Sequence, residues 1–324
     1  MSKHVAERRS DSHGLSASAG TGPLLVCGGG GFLGSHCTSW FASNGWAVTG
    51  LGRGPRPEQA WTHAKIPYVQ CDLTDVTLLS HLRDIRPEQL VYAAGPADVQ
   101  ASFAQPVLDF ENQLLPLLRL LDAVRRLPRP PRVLLVSSAA VYGNPQSLPV
   151  SESTPSQPIS PYGFHKLQQE SLLDEYAALY GLRTCSARVF SSYGPGLRRL
   201  AVWDIARRAL QGDSMLLGTG AESRDYLHAA DVARALDVIL QGSPFEGERV
   251  NVASGTETSI AELAGAIHKH LGLTSQPAFS GHAELGKPVR WRADTTRLRD
   301  IGFVPSIRLD EGLRQTVQWV RSHV

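Results

Sequence analysis

Cysteine is scarce in this sequence: Cys27, Cys37, Cys71 and Cys185 are the only four in 324 residues, and they are widely scattered. None stands at metal-ligand spacing from another, so no metal site is expected, and the four read as ordinary buried thiols in a reducing cytoplasm. Long hydrophobic runs are also missing. No stretch approaches the ~20 apolar residues that a spanning helix needs, which argues against a membrane protein. An excess of charge of one sign is absent too: a net charge of +2 gives no nucleic-acid signature. Residues 1 to 22 lack the apolar centre of a secretory signal despite Arg8-Arg9; being polar and rich in Ser, Gly and Ala, they are expected to form a disordered tail. No internal repeat or low-complexity tract is present.

What the chain does contain is enough apolar content, 42%, to bury one large core or two coupled ones. From residue 23 apolar strand-like runs alternate with amphipathic helical ones. Strands are expected at 23 to 28, 46 to 51, 67 to 71, 89 to 94, 132 to 138 and 183 to 190, with helices at 32 to 44, 74 to 84, 106 to 127 and 161 to 181. This is the pattern of an α/β protein with a Rossmann-type, doubly wound parallel sheet over residues 23 to 190. After about residue 190 the density of Gly and Pro rises, so 191 to 324 is expected to be a smaller, irregular substrate-binding part. A helix at 230 to 241 and a strand at 248 to 253 are expected to return to the main sheet.

Two features carry chemistry. The first is Leu24-Leu25-Val26-Cys27 followed by Gly28-Gly29-Gly30-Gly31-Phe32-Leu33-Gly34. Glycines at 28, 31 and 34 suit a tight strand-to-helix turn, close approach of backbone to a pyrophosphate, and close packing of helix on sheet, with the helix N-terminus supplying amide donors. The second is Tyr162-Gly163-Phe164-His165-Lys166, in which Tyr162 and Lys166 share one face of a helix. By itself that spacing also describes a solvated helix face. A free phenol titrates near ~10, and a lysine ammonium within reach would lower that value and make the proton mobile. Ser138 ends an expected strand about two dozen residues earlier, close enough for its hydroxyl to face the phenol. Ligands bind outside the carboxyl ends of such sheets, so Gly28, Asp72, Ala93, Ser138 and Phe190 should line one crevice.

Taken in order, GGGGFLG at 28 to 34, CDLTD at 71 to 75, VYAAG at 91 to 95, SSAAVYG at 137 to 143, SPYGFHK at 160 to 166, RVFSSYGPG at 188 to 196, SRDYLHAADVA at 223 to 233 and NVASG at 251 to 255 resemble the extended short-chain dehydrogenase/reductases that act on nucleotide sugars. The resemblance spans roughly residues 23 to 320. It implies a catalytic triad of Ser138, Tyr162 and Lys166, in which Lys166 holds the nicotinamide ribose and depresses the Tyr162 pKa. It also implies cofactor contacts from Gly28, Gly31, Phe32, Leu33 and Gly34, adenine contacts from Asp72 and Leu73, passage of the cofactor along Ala93, Ala94 and Gly95, and a diphosphate contact from Arg224.

Three departures from the family pattern shape the expectation. Gly52 stands where NAD-using relatives often place an acid at the end of the second strand, and Arg53 follows; an arginine fork suits a 2′-phosphate, so NADP(H) is favoured over NAD(H). Ala139 and Ala140 replace the Asp-Glu pair that sugar 4,6-dehydratases carry after the hydroxyl residue, which disfavours dehydration and decarboxylation. Ser191 replaces a common substrate-binding asparagine, so that contact is expected to be lost or moved to Ser192, Arg198 or Arg199. The favoured expectation is an NADPH-dependent 4-keto-sugar reductase, slightly ahead of a nucleotide-sugar 4-epimerase with tightly bound cofactor. A non-catalytic NADP(H)-binding sensor or scaffold is a remote third. The resemblance also implies a nucleotide-diphosphate sugar as partner and a homodimer formed through the helices at 106 to 127 and 161 to 181, in the cytoplasm.

Overall fold

The computed structural model describes residues 22–57, 61, 65–282, 286 and 288–324, so the tail expected at 1 to 22 lies outside the described residues except for Gly22. In chain order the first half comprises β1 (Pro23–Cys27), α1 (Phe32–Ser43), β2 (Ala47–Gly52), β3 (Tyr68–Gln70), α2 (Leu78–Ile85), β4 (Gln89–Tyr92), α3 (Val99–Ala104), α4 (Pro106–Val124), β5 (Arg132–Ser138), α5 (Pro161–Tyr180) and β6 (Thr184–Val189). The second half follows with β7 (Ser191–Tyr193), α6 (Leu200–Leu210), β8 (Met215–Leu216), β9 (Ser223–His228), α7 (Ala229–Gly242), β10 (Glu246–Val252), β11 (Glu257–Ser259), α8 (Ile260–Leu271), β12 (Ala278–Phe279), α9 (Thr296–Asp300) and α10 (Leu309–Arg321).

Seven strands form one parallel sheet in the order β10-β6-β5-β4-β1-β2-β3. Parallel strands are covered on both faces, which is why β1 and Leu90–Tyr92 of β4 read as unbroken apolar runs. Alternate residues supply the two cores. Leu24, Val26, Val91, Leu134 and Val136 pack with Cys37 and Phe41 of α1 and Val232 and Leu236 of α7. Leu25, Cys27, Leu90 and Leu135 point the other way, onto Leu82 of α2, Leu117 and Leu121 of α4 and Leu173 of α5. Strand order reverses between β1 and β4, which places the ligand crevice at their carboxyl ends.

The structure adds α3, which the expected pattern lacks, and departs from that pattern at residue 74 and after residue 190. The helix expected from residue 74 begins only at Leu78, because Asp75 Oδ1 accepts from both the N–H and the hydroxyl of Thr77 (2.8 Å each) and holds the chain in a turn. The part after residue 190 is more regular than its Gly and Pro content suggests. Val202 and Ile205 of α6, Leu263 and Ile267 of α8, and Leu313 and Val317 of α10 share their own core, beside a three-stranded sheet ordered β11-β9-β7. The described prolines there, and most of the glycines, belong to the connections, whereas Gly265 and Gly312 lie within α8 and α10.

Candidate active site

The loop after β1 is pinned to β2. The N–H groups of Gly28 and Gly29 both donate to Leu51 O (2.8 and 3.0 Å), and Gly28 has φ +82°. A Cβ on Gly28 would stand 2.7 Å from Ala93 O and from Ala94 N, and one on Gly34 would stand 2.0 Å from Gly28 O. Glycine is therefore required at both positions by close approach of backbone to backbone. Gly31 caps α1 with extended backbone and no side-chain cap, and no acid occupies the first turn. The first-turn N–H groups, including those of Phe32 and Leu33, have no intrahelical acceptor and form a ready anion site. Such an uncapped, side-chain-free cradle fits the pyrophosphate of a nicotinamide dinucleotide.

Neighbouring strand ends complete the crevice. Ala93 N–H donates to Cys27 O (2.9 Å), which holds Ala93, Ala94 and Gly95 beside the loop. Gly95 has φ +108°, and a Cβ there would meet Gln113 Oε1 at 2.8 Å. Leu73 is buried. Asp72 is partly desolvated, yet its carboxyl lies below its ordinary value because Thr74 donates to Oδ1 from both N–H and hydroxyl (2.8 and 2.7 Å) and Arg53 adds positive charge. The Arg53 guanidinium itself reaches Asn112 Oδ1 at 3.4 Å.

Ser138 is the last residue of β5, and its Oγ accepts from the N–H of Ala140 (3.1 Å) in the 3-10 turn Ala139–Tyr142. Both alanines are buried. Helix α5 starts at Pro161, where proline needs no hydrogen-bond partner, and is capped by the Ser160 hydroxyl accepting from Gly163 N–H (3.1 Å). Tyr162 N–H donates to Ser102 Oγ of α3 (3.1 Å), so α3 fixes where the first turn of α5 sits. Neither α3 nor Ser102 carries a sequence signal that marks this role.

Tyr162 and Lys166 are both buried on α5, but Lys166 does not bond the phenol. Its Nζ donates to Val136 O (3.3 Å) and Gln169 Oε1 (3.0 Å) and lies 5.9 Å from the centroid of the Tyr162 ring. Gln169 Nε2 donates in turn to Gln113 O (2.6 Å), and Gln113 Nε2 to Pro96 O (2.6 Å), linking the lysine to the loop after β4. Burial lowers the Lys166 pKa to about 8, against the opposing charges of Asp109 and Glu170. Burial pushes the Tyr162 phenol up, opposed by a hydrogen bond with Ser138 and by the charge of Arg199, and reinforced by Asp109. The expectation that Lys166 depresses the Tyr162 pKa is thus corrected for this geometry. An i,i+4 spacing sets a shared face but not a contact, and the lysine is drawn to a main-chain carbonyl of β5 and to the side-chain amide of Gln169 on its own helix. Asp109 Oδ2 is 2.5 Å from His165 Nδ1, a pairing between α4 and α5 that the sequence reading misses.

The other residues expected to hold substrate are spread over β7, β9 and the segment before α6. Ser191 is half-buried on β7 and pairs in register with Tyr226 of β9. Arg224 lies on β9 with its guanidinium 5.5 Å from the Trp291 ring. Its neighbour Asp225 is fully buried and accepts from Ser254 N–H (2.8 Å) and hydroxyl (2.7 Å), Gly255 N–H (2.9 Å) and Ala293 N–H (3.1 Å), so it clamps the segment after β10 to the one before α9. Arg198 is exposed and packs over Trp319 of α10 at 5.9 Å. It is Arg199, half-buried, whose charge reaches Tyr162.

Comparison with known proteins identifies the family. The model of the NAD dependent epimerase/dehydratase family covers residues 24–253. A UDP-glucose 4-epimerase of Mycolicibacterium smegmatis is 32% identical over 309 residues, covering 92% of this chain and 98% of the relative. The crystal structure of a Thermotoga maritima UDP-glucose 4-epimerase with UDP-glucose has a TM-score of 0.84 at 26% identity, over 93% of this chain and 99% of its own. That of a Thermus thermophilus UDP-glucose 4-epimerase in complex with NAD has a TM-score of 0.82 at 30% identity, over 93% and 100%. The chain belongs to the NAD dependent epimerase/dehydratase family and is an enzyme of the extended short-chain dehydrogenase/reductase type.

Proposed function

We propose that this protein is a nucleotide-diphosphate-sugar 4-epimerase that keeps NAD bound through the catalytic cycle. The observation that carries this reading is the composition of the reacting corner: a buried phenol whose electrostatics Ser138 acts on, a buried lysine, and two buried alanines after the serine. Such a corner can move one proton at one sugar oxygen. It has no second acid or base at 139 or 140, so elimination of water or loss of a carboxylate has no group there to carry the extra proton. Several relatives that match nearly the whole chain are 4-epimerases, others are a decarboxylase and a 4,6-dehydratase whose chemistry Ala139 and Ala140 disfavour, and a solved 4-epimerase and the solved dehydratase both hold NAD. These findings favour the epimerase over the reductase that Gly52-Arg53 suggests, and NAD over NADP(H).

In this reading Tyr162 works in its phenolate form, which the charge of Arg199 favours against burial; it takes the proton of the sugar C4 hydroxyl and returns it to the same oxygen, while Ser138 hydrogen-bonds that oxygen and holds it in line. Lys166, fixed by Val136 O and Gln169, keeps one ammonium proton that would serve the nicotinamide ribose. Bound NAD supplies the acceptor and donor of hydride. Arg224 and Arg199 offer guanidinium groups to the diphosphate and sugar ends of the substrate. The four cysteines of the chain are all free and buried, which accords with a cytoplasmic setting, and no helix among the described residues is long and apolar enough to cross a membrane. Phe110, Leu115 and Leu118 of α4 and Phe164 and Leu179 of α5 are exposed beside a groove of about 330 Å³ between the two helices, a face suited to a second copy of the chain.

The test is incubation of the purified protein, without added cofactor, with UDP-glucose, UDP-galactose and their N-acetylated and uronic counterparts. The expected result is redox-neutral interconversion of one C4 pair, with NAD released on denaturation. Stoichiometric consumption of added NADPH, with no epimer formed, would favour the reductase instead.

A further inference from the structure

Gly52 leaves the adenosine-ribose corner without the acid that usually accepts a ribose hydrogen bond, yet the corner is not empty. On β2, Gly50 and Gly52 point to one side of the strand, and both give up their side-chain space to aromatic residues. A Cβ at Gly50 would stand 2.5 Å from Trp61 Cη2 and 3.1 Å from Tyr68 Cδ2, and a Cβ at Gly52 would stand 2.8 Å from Tyr68 Oη. Tyr68 is the first residue of β3 and pairs in register with Gly50, so its side chain runs along β2 to the strand's carboxyl end. Trp61 packs edge-on against it, with centroids 5.6 Å apart. The hydroxyl therefore sits beside Gly52 and at 3.5 Å from the Cβ position of Gly30 in the glycine loop. A carboxylate oxygen stands two bonds from its own Cβ. The Tyr68 hydroxyl thus occupies nearly the place that an acid at position 52 would give to its oxygen, between the loop and the end of β2 where this fold receives the adenosine ribose.

We propose that Tyr68 is the residue that recognises the ribose 2′-hydroxyl and makes NAD, rather than NADP, the cofactor of this chain. The proposal rests on the reading that the cofactor is NAD. A phenol has one proton and two lone pairs, and the Tyr68 proton is committed to Gly54 O at 2.8 Å. The side facing the crevice is therefore an acceptor. It suits a ribose hydroxyl, which donates, and it is unfavourable to a 2′-phosphate, which can only accept. To serve a phosphate, Tyr68 would have to give up its bond to Gly54. Arg53 does not reverse this preference, because its guanidinium is turned to Asn112 and its charge acts on Asp72.

Calorimetric titration of nucleotide-stripped protein with NAD⁺, 2′-deoxyadenosine NAD⁺ and NADP⁺ tests the assignment. Wild type is expected to bind NAD⁺ about 2- to 12-fold more tightly than the 2′-deoxy analogue, the range of one net hydrogen bond, and more tightly than NADP⁺. In Tyr68→Phe the first difference should vanish and the gap to NADP⁺ should narrow, with thermal stability monitored alongside. Gly52→Asp/Tyr68→Phe, which moves an acid into the vacated space, should restore tight NAD⁺ binding. Full discrimination against the 2′-deoxy analogue in Tyr68→Phe, or a double variant that binds NAD⁺ no better than Tyr68→Phe, overturns the role of Tyr68. Tighter binding of NADP⁺ by wild type overturns the cofactor reading itself, whatever the variants do.

Discussion

Tyr162→Phe will lose about two to four orders of magnitude in turnover, the usual contribution of a positioned proton-transfer group, while its NAD content stays near that of wild type. The substitution removes one oxygen and leaves the ring, which packs in a buried cluster with Ala140, Val141, Phe190 and Trp291. The helix start is untouched, because it is the main-chain N–H of Tyr162 that bonds Ser102. The glycine loop lies on another element and keeps its cradle. Steady-state rates and the nucleotide released on denaturation read the two effects separately. A Tyr162→Phe variant within tenfold of the wild-type rate would mean that another group moves the proton.

The largest expected effect on stability belongs to the pair beneath the site. Arg188 of β6 is buried and donates from Nε and Nη2 to Glu170 Oε1 (3.0 Å) and Oε2 (2.7 Å) of α5, and Glu170 Oε1 also accepts from Ser137 Oγ (2.6 Å). The guanidinium packs over Tyr142 at 4.7 Å. Glu170→Ala leaves a cation out of water without its partner, and breaking a buried pair in this way costs about 3–5 kcal/mol. Replacing both partners, as in Glu170→Leu/Arg188→Met, removes the stranded charge and should recover most of that loss. Urea denaturation measures both variants. A loss below about 1 kcal/mol in the single variant would contradict the desolvated pairing. Because Glu170 lies one helical turn beyond Lys166, the pair also fastens the lysine's stretch of α5 to the sheet.

Much of this architecture is legible in the sequence because it is local. The spacing of Gly28, Gly31 and Gly34 between an apolar run and a helical one is enough to place a strand-to-helix turn, and continuous apolar runs suffice for strands covered on both faces. Tyr162 and Lys166 declare a common helix face by their spacing. Contacts between distant elements are a different matter. Ser102 meets Tyr162 across 60 positions, and Gln169 meets Gln113 across 56. Nothing in either local sequence announces these bonds, so the lysine's true partners are hidden. The same limit applies at the ribose corner: Gly52-Arg53 reads as room for a phosphate until Tyr68 is seen to fill the space from the next strand. Arg198 and Arg199 are equivalent on paper, and only the extended backbone leading into α6 sends one to Trp319 and the other within reach of Tyr162.

The central claim, that Tyr162 and its neighbours serve a redox-neutral inversion at sugar carbon 4, is most directly tested with nucleotide sugar carrying deuterium at that carbon. Wild-type protein without added cofactor should convert it to the C4 epimer with the deuterium still at carbon 4, and the solution should accumulate no reduced nicotinamide. Absence of the epimer, together with label appearing in released reduced cofactor, would contradict the account.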